Sequence, residues 1–216
     1  QTPLITSITG FLTPEECSAW IDYGERTGFS ELDAVRTAGY ALRRNGRIAL
    51  DDADIASAIF ERVKAFVPRE IHVDHPTSRS VRPIGCAQNL RLYRYTAGQA
   101  FGKHVDDSVA REEFCQPGAA TQFTLLVYLS DGIDGGATIF YLNEMDRSDS
   151  RGKGKRTKRG RRGGGGDPPK QRTVRIDPRL GACLLHRHGS ECLEHEGEVV
   201  RSGVNKYLLR TDVVYA

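Results

Sequence analysis

No stretch of this 216-residue chain is both long and apolar. The longest apolar runs, such as Phe123 to Leu129, fall far short of the ~20 residues that carry a helix across a bilayer, so a soluble chain with no membrane partner is expected. Five cysteines are present (Cys17, Cys86, Cys115, Cys183 and Cys192), odd in number, scattered, and without a Cys-x-x-Cys pair. That pattern argues against a structural zinc site and for reduced thiols in an intracellular setting, cytoplasmic or nuclear. An initiating methionine is also missing: the chain opens at Gln1, which reads as a trimmed or processed start, with any targeting segment upstream.

Acidic residues are scarce in one place only. Between Arg151 and Arg172 ten Lys or Arg stand against one acid, Asp167, a local charge of +9 that leaves −6 for the rest of a chain whose net charge is +3. A mildly acidic body therefore carries a basic ribbon. Residues 146–172 have no apolar periodicity and include four consecutive glycines, so this insertion is expected to be disordered, since it cannot bury enough surface to offset the entropy of ordering. The ribbon also has no aromatic residue to stack on bases. Any nucleic-acid partner held by residues 151–172 would be bound through phosphates, with strong salt dependence and no sequence preference.

The length suits one domain, 1–216, with a buried core. Its first part, 1–87, reads as a helical support region. In "FLTPEECSAWIDYGERTG", Thr13 is a candidate N-cap, Pro14 the first helical residue, Glu16 the third residue after the cap and Gly28 a stop, which predicts a helix over 14–26. A second helix is expected behind Asp51-Asp52, with Ile55, Ile59, Val63 and Phe66 at helical spacing and Pro68 as its end. Both are expected to precede everything strand-like. From 88 to 216 the runs "NLRLYRYT", "QFTLLVYLS", "ATIFYL", "TVRID", "ACLLHRH" and "KYLLRTDVVY" read as strands. Strands gathered after helices suggest an antiparallel sandwich or barrel with the helices on one side.

His-Val-Asp occurs twice, at His72 to Asp74 and at His104 to Asp106. The second copy follows a strand and a Gly-containing connector, and His195 lies downstream before a Gly-punctuated turn and a final strand with two cations, Lys206 and Arg210. Two imidazoles and a carboxylate hold Fe(II) on one face and leave three positions open, whereas a structural zinc site would be closed by a fourth protein ligand. The first copy has no such setting, and a solvated His-Asp pair accounts for it. In "CLLHRHGSEC", His186 and His188 share a strand face while Cys183 lies on the other, so a structural or loop role is expected, with His188 near the approach to the iron.

The runs "YRYTAGQAFGKHVDD", "TLLVYLSDGIDGGATIFY" and "HEGEVVRSGVNKYLLRTDVVY" together resemble the 2-oxoglutarate and Fe(II)-dependent oxygenases of the prolyl 4-hydroxylase type. The resemblance covers most of the chain, since "RRNGRIALDD" and the second helix resemble the family's N-terminal part. It implies a mainly β fold with flanking helices, a double-stranded β-helix or jelly roll over 88–216. By the same resemblance His104, Asp106 and His195 are the iron ligands and the catalytic residues, Tyr95 hydrogen-bonds 2-oxoglutarate, and Thr124 lies on the strand that lines the same pocket. The distal carboxylate of the cosubstrate needs a buried cation. The family lysine usually stands ten residues after the last histidine; that position is Asn205 here, and the lysine is Lys206. Because a one-residue slip flips a strand side chain to the other face, a bulge at Gly203 to Asn205 is needed to turn Lys206 inward, with Arg210 as the reserve candidate.

The implied cofactor is Fe(II), with 2-oxoglutarate and dioxygen as cosubstrates and ascorbate as a further candidate. The implied activity is hydroxylation of prolyl residues in a peptide or protein, coupled to decarboxylation of 2-oxoglutarate to succinate and CO2. Two alternatives stand beside it: the same chemistry on nucleic acid or a ribonucleoprotein recruited by the basic loop, and a non-catalytic jelly roll used for binding. Arg44, Asn45 and Arg47 of "RRNGR" are candidates for a substrate groove or for a surface loop leading into a helix. Oligomeric state is not legible in the chain.

Overall fold

A computed structural model describes residues 3–34, 41–74, 78–142 and 171–216. The basic insertion, except for its last two residues, lies outside the described residues. In chain order the elements are β1 (Ile5–Ile8), α1 (Pro14–Thr27), β2 (Ser30–Ala34), β3 (Arg43–Asp51), α2 (Ala53–Val63), β4 (Ile71–Val73), β5 (Arg79–Val81), β6 (Pro83–Cys86), β7 (Asn89–Tyr95) and β8 (Phe101–His104). There follow β9 (Ala120–Tyr128), β10 (Ile133–Gly135), β11 (Thr138–Leu142), β12 (Arg172–Ile176), β13 (Cys183–Arg187), β14 (His195–Gly197), β15 (Val200–Gly203) and β16 (Lys206–Tyr215).

Helix α1 begins where the sequence marks it. Thr13 accepts a hydrogen bond from the Glu16 N–H while the Glu16 carboxylate accepts one from the Thr13 N–H, a closed capping box, and Pro14 fills the first turn. Glu16 also pairs with Arg62 of α2 at 2.5 Å, so one residue caps its own helix and ties it to the next. Asp52 caps α2 by accepting from the Ile55 N–H at 2.8 Å. That helix stops at Val63, sooner than its apolar spacing suggests, and Phe66, beyond its end, is exposed rather than part of its buried face.

Twelve strands form one curled antiparallel sheet with the path β1-β13-β9-β16-β7-β3-β8-β14-β11-β12, to which β2 adds on β3 and β6 on β16. The mainly β architecture with helices to one side is as expected, but the helices do not precede the strands: β1 comes before α1, and β2 and β3 come between the helices. "RRNGRIALD" is strand β3, pairing with β7, not a loop entering a helix. These segments show no apolar alternation long enough to reveal them, and their strand state comes from pairing partners far away in the chain.

The sheet sorts its residues by parity. Leu90 and Leu92 of β7, Phe123, Leu125 and Val127 of β9, Cys183 and Leu185 of β13, and Leu209 and Val213 of β16 pack in one buried cluster with Ala56, Ile59 and Val63 of α2 and Cys17 of α1. The alternate residues, among them Tyr93, Tyr95, Tyr128, Leu184 and Leu208, form a second cluster inside the curl with Phe140. Successive strand side chains point to opposite faces, so one set of strands makes both the helix-packed core and the inner wall of a pocket.

Leu92 is fully buried in the helix-facing cluster. Leu92→Ala is expected to lower the free energy of unfolding by about 2–5 kcal/mol, measured by urea denaturation.

Candidate active site

Pairing of β8 with β14 sets His195 directly across from His104, although 91 positions separate them in the chain. Their ring centroids are 4.2 Å apart. Asp106 follows β8 by two residues, and its carboxylate lies 3.9 Å from His104 Nε2 through Oδ1 and 3.8 Å from His195 Nε2 through Oδ2. Donor atoms of the three residues all lie within 4.8 Å of one another. Ligands about 2.1 Å from one ion sit ~3.0 Å apart at right angles and ~4.2 Å apart when opposite, so a single divalent ion fits this set.

Both imidazoles are aimed by their backbone. The Nδ1–H of His104 donates to the Gly102 carbonyl at 2.8 Å and that of His195 to the Leu193 carbonyl at 2.9 Å, which leaves each Nε2 with its lone pair toward the centre. Phe101 stacks on His104 at 3.7 Å between centroids, and Phe140 packs against His195 at 5.3 Å. Burial, with His195 adding to it, pushes His104 down to about 4, and burial likewise lowers His195. Burial opposes charge on Asp106 too, but Arg210, His186 and a hydrogen bond from Thr124 hold its carboxyl well below the usual range. At neutral pH the set is two neutral imidazoles and one carboxylate, the protonation state a transition metal takes up.

Asp106 is held by a directed chain. Thr124 donates to Oδ2 at 2.6 Å and so accepts from His188 Nε2–H at 2.7 Å, and His188 Nδ1 then accepts from the Thr121 hydroxyl at 3.0 Å. Arg210 adds an ion pair to the same Oδ2 at 3.0 Å and bonds Asp212 at 3.2 Å. Thr124 thus touches the carboxylate of the His-x-Asp pair and is not among the residues that line the cavity.

That cavity opens from the three residues toward Lys206 and is walled by Tyr93, Tyr95, Phe101, Leu126, Thr138 and Leu208, with Arg43 and Arg210. A turn at Gly203, with φ +85°, ends β15, and Lys206 begins β16 facing inward, opposite Tyr95 in the ladder. Its ammonium lies 5.3 Å from the Tyr95 ring and 5.9 Å from that of Tyr128. Tyr128 in turn shares a 2.7 Å hydrogen bond with Thr138. No carboxylate among the described residues lies within ion-pair distance of Lys206, and burial lowers its pKa to about 7. Tyr95 is fully enclosed, and burial pushes its hydroxyl up to about 12. Lys206 and Arg210 therefore face the same cavity, one with no direct ion pair among the described residues and one already paired.

Several residues in this cavity escaped the sequence reading. Tyr93 shares a face with Tyr95; Arg43, one position before the "RRNGR" candidates Arg44, Asn45 and Arg47, lies 4.4 Å over the Tyr93 ring, held by a 2.9 Å bond to buried Asn45. Their signal was the two-residue alternation of β7 and β3. His186 of β13 also points inward, its Nε2 3.7 Å from Asp106 Oδ2. Cys192 lies beside the set, its thiol pushed up to about 11 by burial and its sulfur accepting the Asp106 N–H at 3.2 Å.

In the other His-Val-Asp, His72 and Val73 lie on the short strand β4, which the sequence did not reveal, paired with β5, and Asp74 follows its end. His72 Nε2 is 2.7 Å from the Ser78 hydroxyl, which donates to Asp74 at 3.2 Å, and the two side chains are 60% and 83% exposed. Among the described residues no third donor joins them. No described helix is long and apolar enough to cross a membrane.

No protein-family model matches the chain. A probable prolyl 4-hydroxylase 3 of Arabidopsis thaliana is 28% identical over 189 residues, which cover 81% of this chain and 55% of that protein. The chain thus spans about half the length of the curated relatives it matches. The structure of a viral collagen prolyl hydroxylase from Paramecium bursaria Chlorella virus-1, in complex with 2-oxoglutarate, superposes with a TM-score of 0.55 at 16% identity, covering 98% of this chain and 96% of that one. A prolyl hydroxylase from Trichoplax adhaerens, bound to a hypoxia-inducible-factor peptide, gives 0.58 at 14% identity, with coverages of 97% and 83%. The fold is the jelly roll of the 2-oxoglutarate and Fe(II)-dependent oxygenases. Sequence relatives and fold together bear out the resemblance to the prolyl 4-hydroxylase type. Nothing in the relatives or the described residues supports the nucleic-acid partner.

Thr124→Val keeps the shape of the side chain and removes the donor to Asp106. Co(II) affinity, followed by titration calorimetry, is expected to fall about 10–100-fold, while His72→Ala leaves it unchanged.

Proposed function

We propose that the chain is a 2-oxoglutarate and Fe(II)-dependent dioxygenase that hydroxylates prolyl residues of a peptide or protein. The observation that carries this reading is one cavity with two neutral imidazoles and a carboxylate at one end and, at the other, a buried lysine that has no carboxylate within ion-pair distance among the described residues. Each turnover would place one oxygen atom of O2 in the new C–OH group and the other in succinate, with release of CO2. His104, Asp106 and His195 would hold the iron, which supplies the site where the keto acid chelates and dioxygen is activated.

The chain's own residues supply geometry and dryness. Thr124 and Arg210 occupy Asp106 Oδ2, so Oδ1 is the oxygen left for the metal. Lys206 and Tyr95 are the partners for the distal carboxylate of the cosubstrate, because Arg210 is already neutralised by Asp106 and Asp212. Phe101, Leu126 and Leu208 exclude water from the space between, which strengthens every charge interaction inside.

Conversion of 2-oxoglutarate to succinate is expected to vanish in His104→Ala and Asp106→Ala. With proline-bearing peptides as substrate, mass spectrometry should show a gain of about 16 Da on proline, and none on oligonucleotides. Modification of oligonucleotides instead would overturn the substrate class, and succinate formation untouched by both substitutions would overturn the centre.

Affinity for 2-oxoglutarate should also report Lys206. Its free ammonium empties as pH rises through about 7, and an anion binds the charged form. The dissociation constant is therefore expected to rise about tenfold per pH unit above that value, until the lysine pKa of the complex is reached. Lys206→Ala should weaken binding by about 2 kcal/mol or more, roughly 30-fold, and abolish that pH dependence.

A further inference from the structure

A second cavity, about 340 Å³ in volume, opens between β4 and β5, the loop after Asp106 and the start of the β13–β14 connection. That is the size of a small-ligand pocket, roughly 300–1,000 Å³. It shares no lining residue with the cavity at the metal centre, yet it adjoins the same aspartate. The N–H of Gly189 in its wall donates to the Asp106 carbonyl at 2.8 Å, and His188 beside it bonds Thr124.

Strand parity supplies its cations. His186 points inward, and Arg187, the next residue on β13, points to the other face, where its guanidinium lies 5.0 Å from the centroid of the Phe123 ring. Arg187 is only 4% exposed. Its Nη2 pairs with Glu191 at 2.5 Å, while Nε and Nη1 have no hydrogen-bond partner among the described residues. Arg79 of β5 is the second cation in the wall. Its partner is the Gly118 carbonyl, at 2.6 Å, rather than a carboxylate, and its Nε is likewise unpartnered among the described residues.

Buried donors are almost always met by an acceptor, and a guanidinium is met best by an anion. Glu191 shows which kind of anion Arg187 takes: a half-exposed carboxylate already lies on one of its nitrogens. The other acid in the wall, Asp74, is 83% exposed and accepts the Ser78 hydroxyl at 3.2 Å, so water screens its charge. With Glu191 offsetting one guanidinium, a single further negative charge suits the cavity better than a phosphate dianion.

We propose that this cavity is a second ligand site, in which Arg79 and Arg187 hold one carboxylate, separate from the site for the cosubstrate. The carboxylate belongs either to an acidic side chain of the prolyl peptide or to a free small acid. Ser108 in the wall stands two residues after Asp106, roughly 7 Å of extended chain, which puts the cavity within reach of residues that flank a proline held at the metal.

Titration calorimetry tests the site without metal or turnover, so its outcome does not depend on the oxygenase reading. Glutarate is titrated into Lys206→Ala, which lacks the cation assigned to the cosubstrate. Prolyl peptides with one Glu up to about three residues from the proline, and their Gln counterparts, are titrated into the wild type. Saturable binding of glutarate is expected for a free acid, and a preference of at least about tenfold for a Glu peptide over its Gln counterpart is expected for a peptide side chain. In either case Arg79→Gln and Arg187→Met should each weaken binding at least about tenfold. Arg79 is partly exposed, so its variant keeps the test decisive if Arg187→Met does not fold. No glutarate binding together with equal binding of the paired peptides overturns the proposal. Binding undiminished in Arg79→Gln overturns it too, as does saturable uptake of inorganic phosphate with no carboxylate bound.

Discussion

Asp106 places a negative charge almost out of reach of water, and the surrounding structure is arranged to meet it. A lone buried carboxylate would take up a proton; this one is held ionised by Arg210 and by the Thr124 hydroxyl. Arg210 is shared with Asp212, which Arg91 and Arg111 neutralise in turn. The anion therefore depends on groups from β7, β9 and β16 at once, and those strands must be in register before the site is competent. With Asp106 charged and its imidazole neighbours neutral, the donor set exists before any metal arrives.

Strand β16 shows how little of the sheet serves one purpose. Leu209 and Val213 face the helix-packed core, while Lys206, Leu208 and Arg210 face the cavity, so the strand is buried on both sides along most of its length. Apolar burial on the outer face, about 25 cal/mol per Å², offsets the cost of placing cations on the inner one. The same division runs through β9, where Thr124 and Leu126 alternate with the core residues Phe123, Leu125 and Val127.

Two inward cations four residues apart have unequal fates. Arg210 meets carboxylates on both sides and works as part of the scaffold. Lys206 meets the rings of Tyr95 and Tyr128, keeps its charge against the cost of burial, and is the one for which an incoming carboxylate would be a net gain.

Much of this was legible in the linear chain. Thr13, Pro14 and Glu16 announce a helix start through local hydrogen bonds; six strand segments carry their own β-rich composition; and the ordered motifs around His104 and His195 mark the chemistry. What the chain could not specify is non-local. Strands β1, β2, β3 and β4 are short or irregular in pattern and owe their state to distant partners. His72 to Asp74 and His104 to Asp106 are spelled alike, and only the pairing of β8 with β14 gives the second copy another imidazole. His186 lay in a cluster that sequence reasoning set aside, because strand parity shows which residues share a face but not what that face meets. Local rules of capping and alternation set the two helix starts and the strands of clear β-rich composition; the curl of the sheet, a matter of long-range register, decided that Asp106, His186, His195 and Lys206 line one cavity.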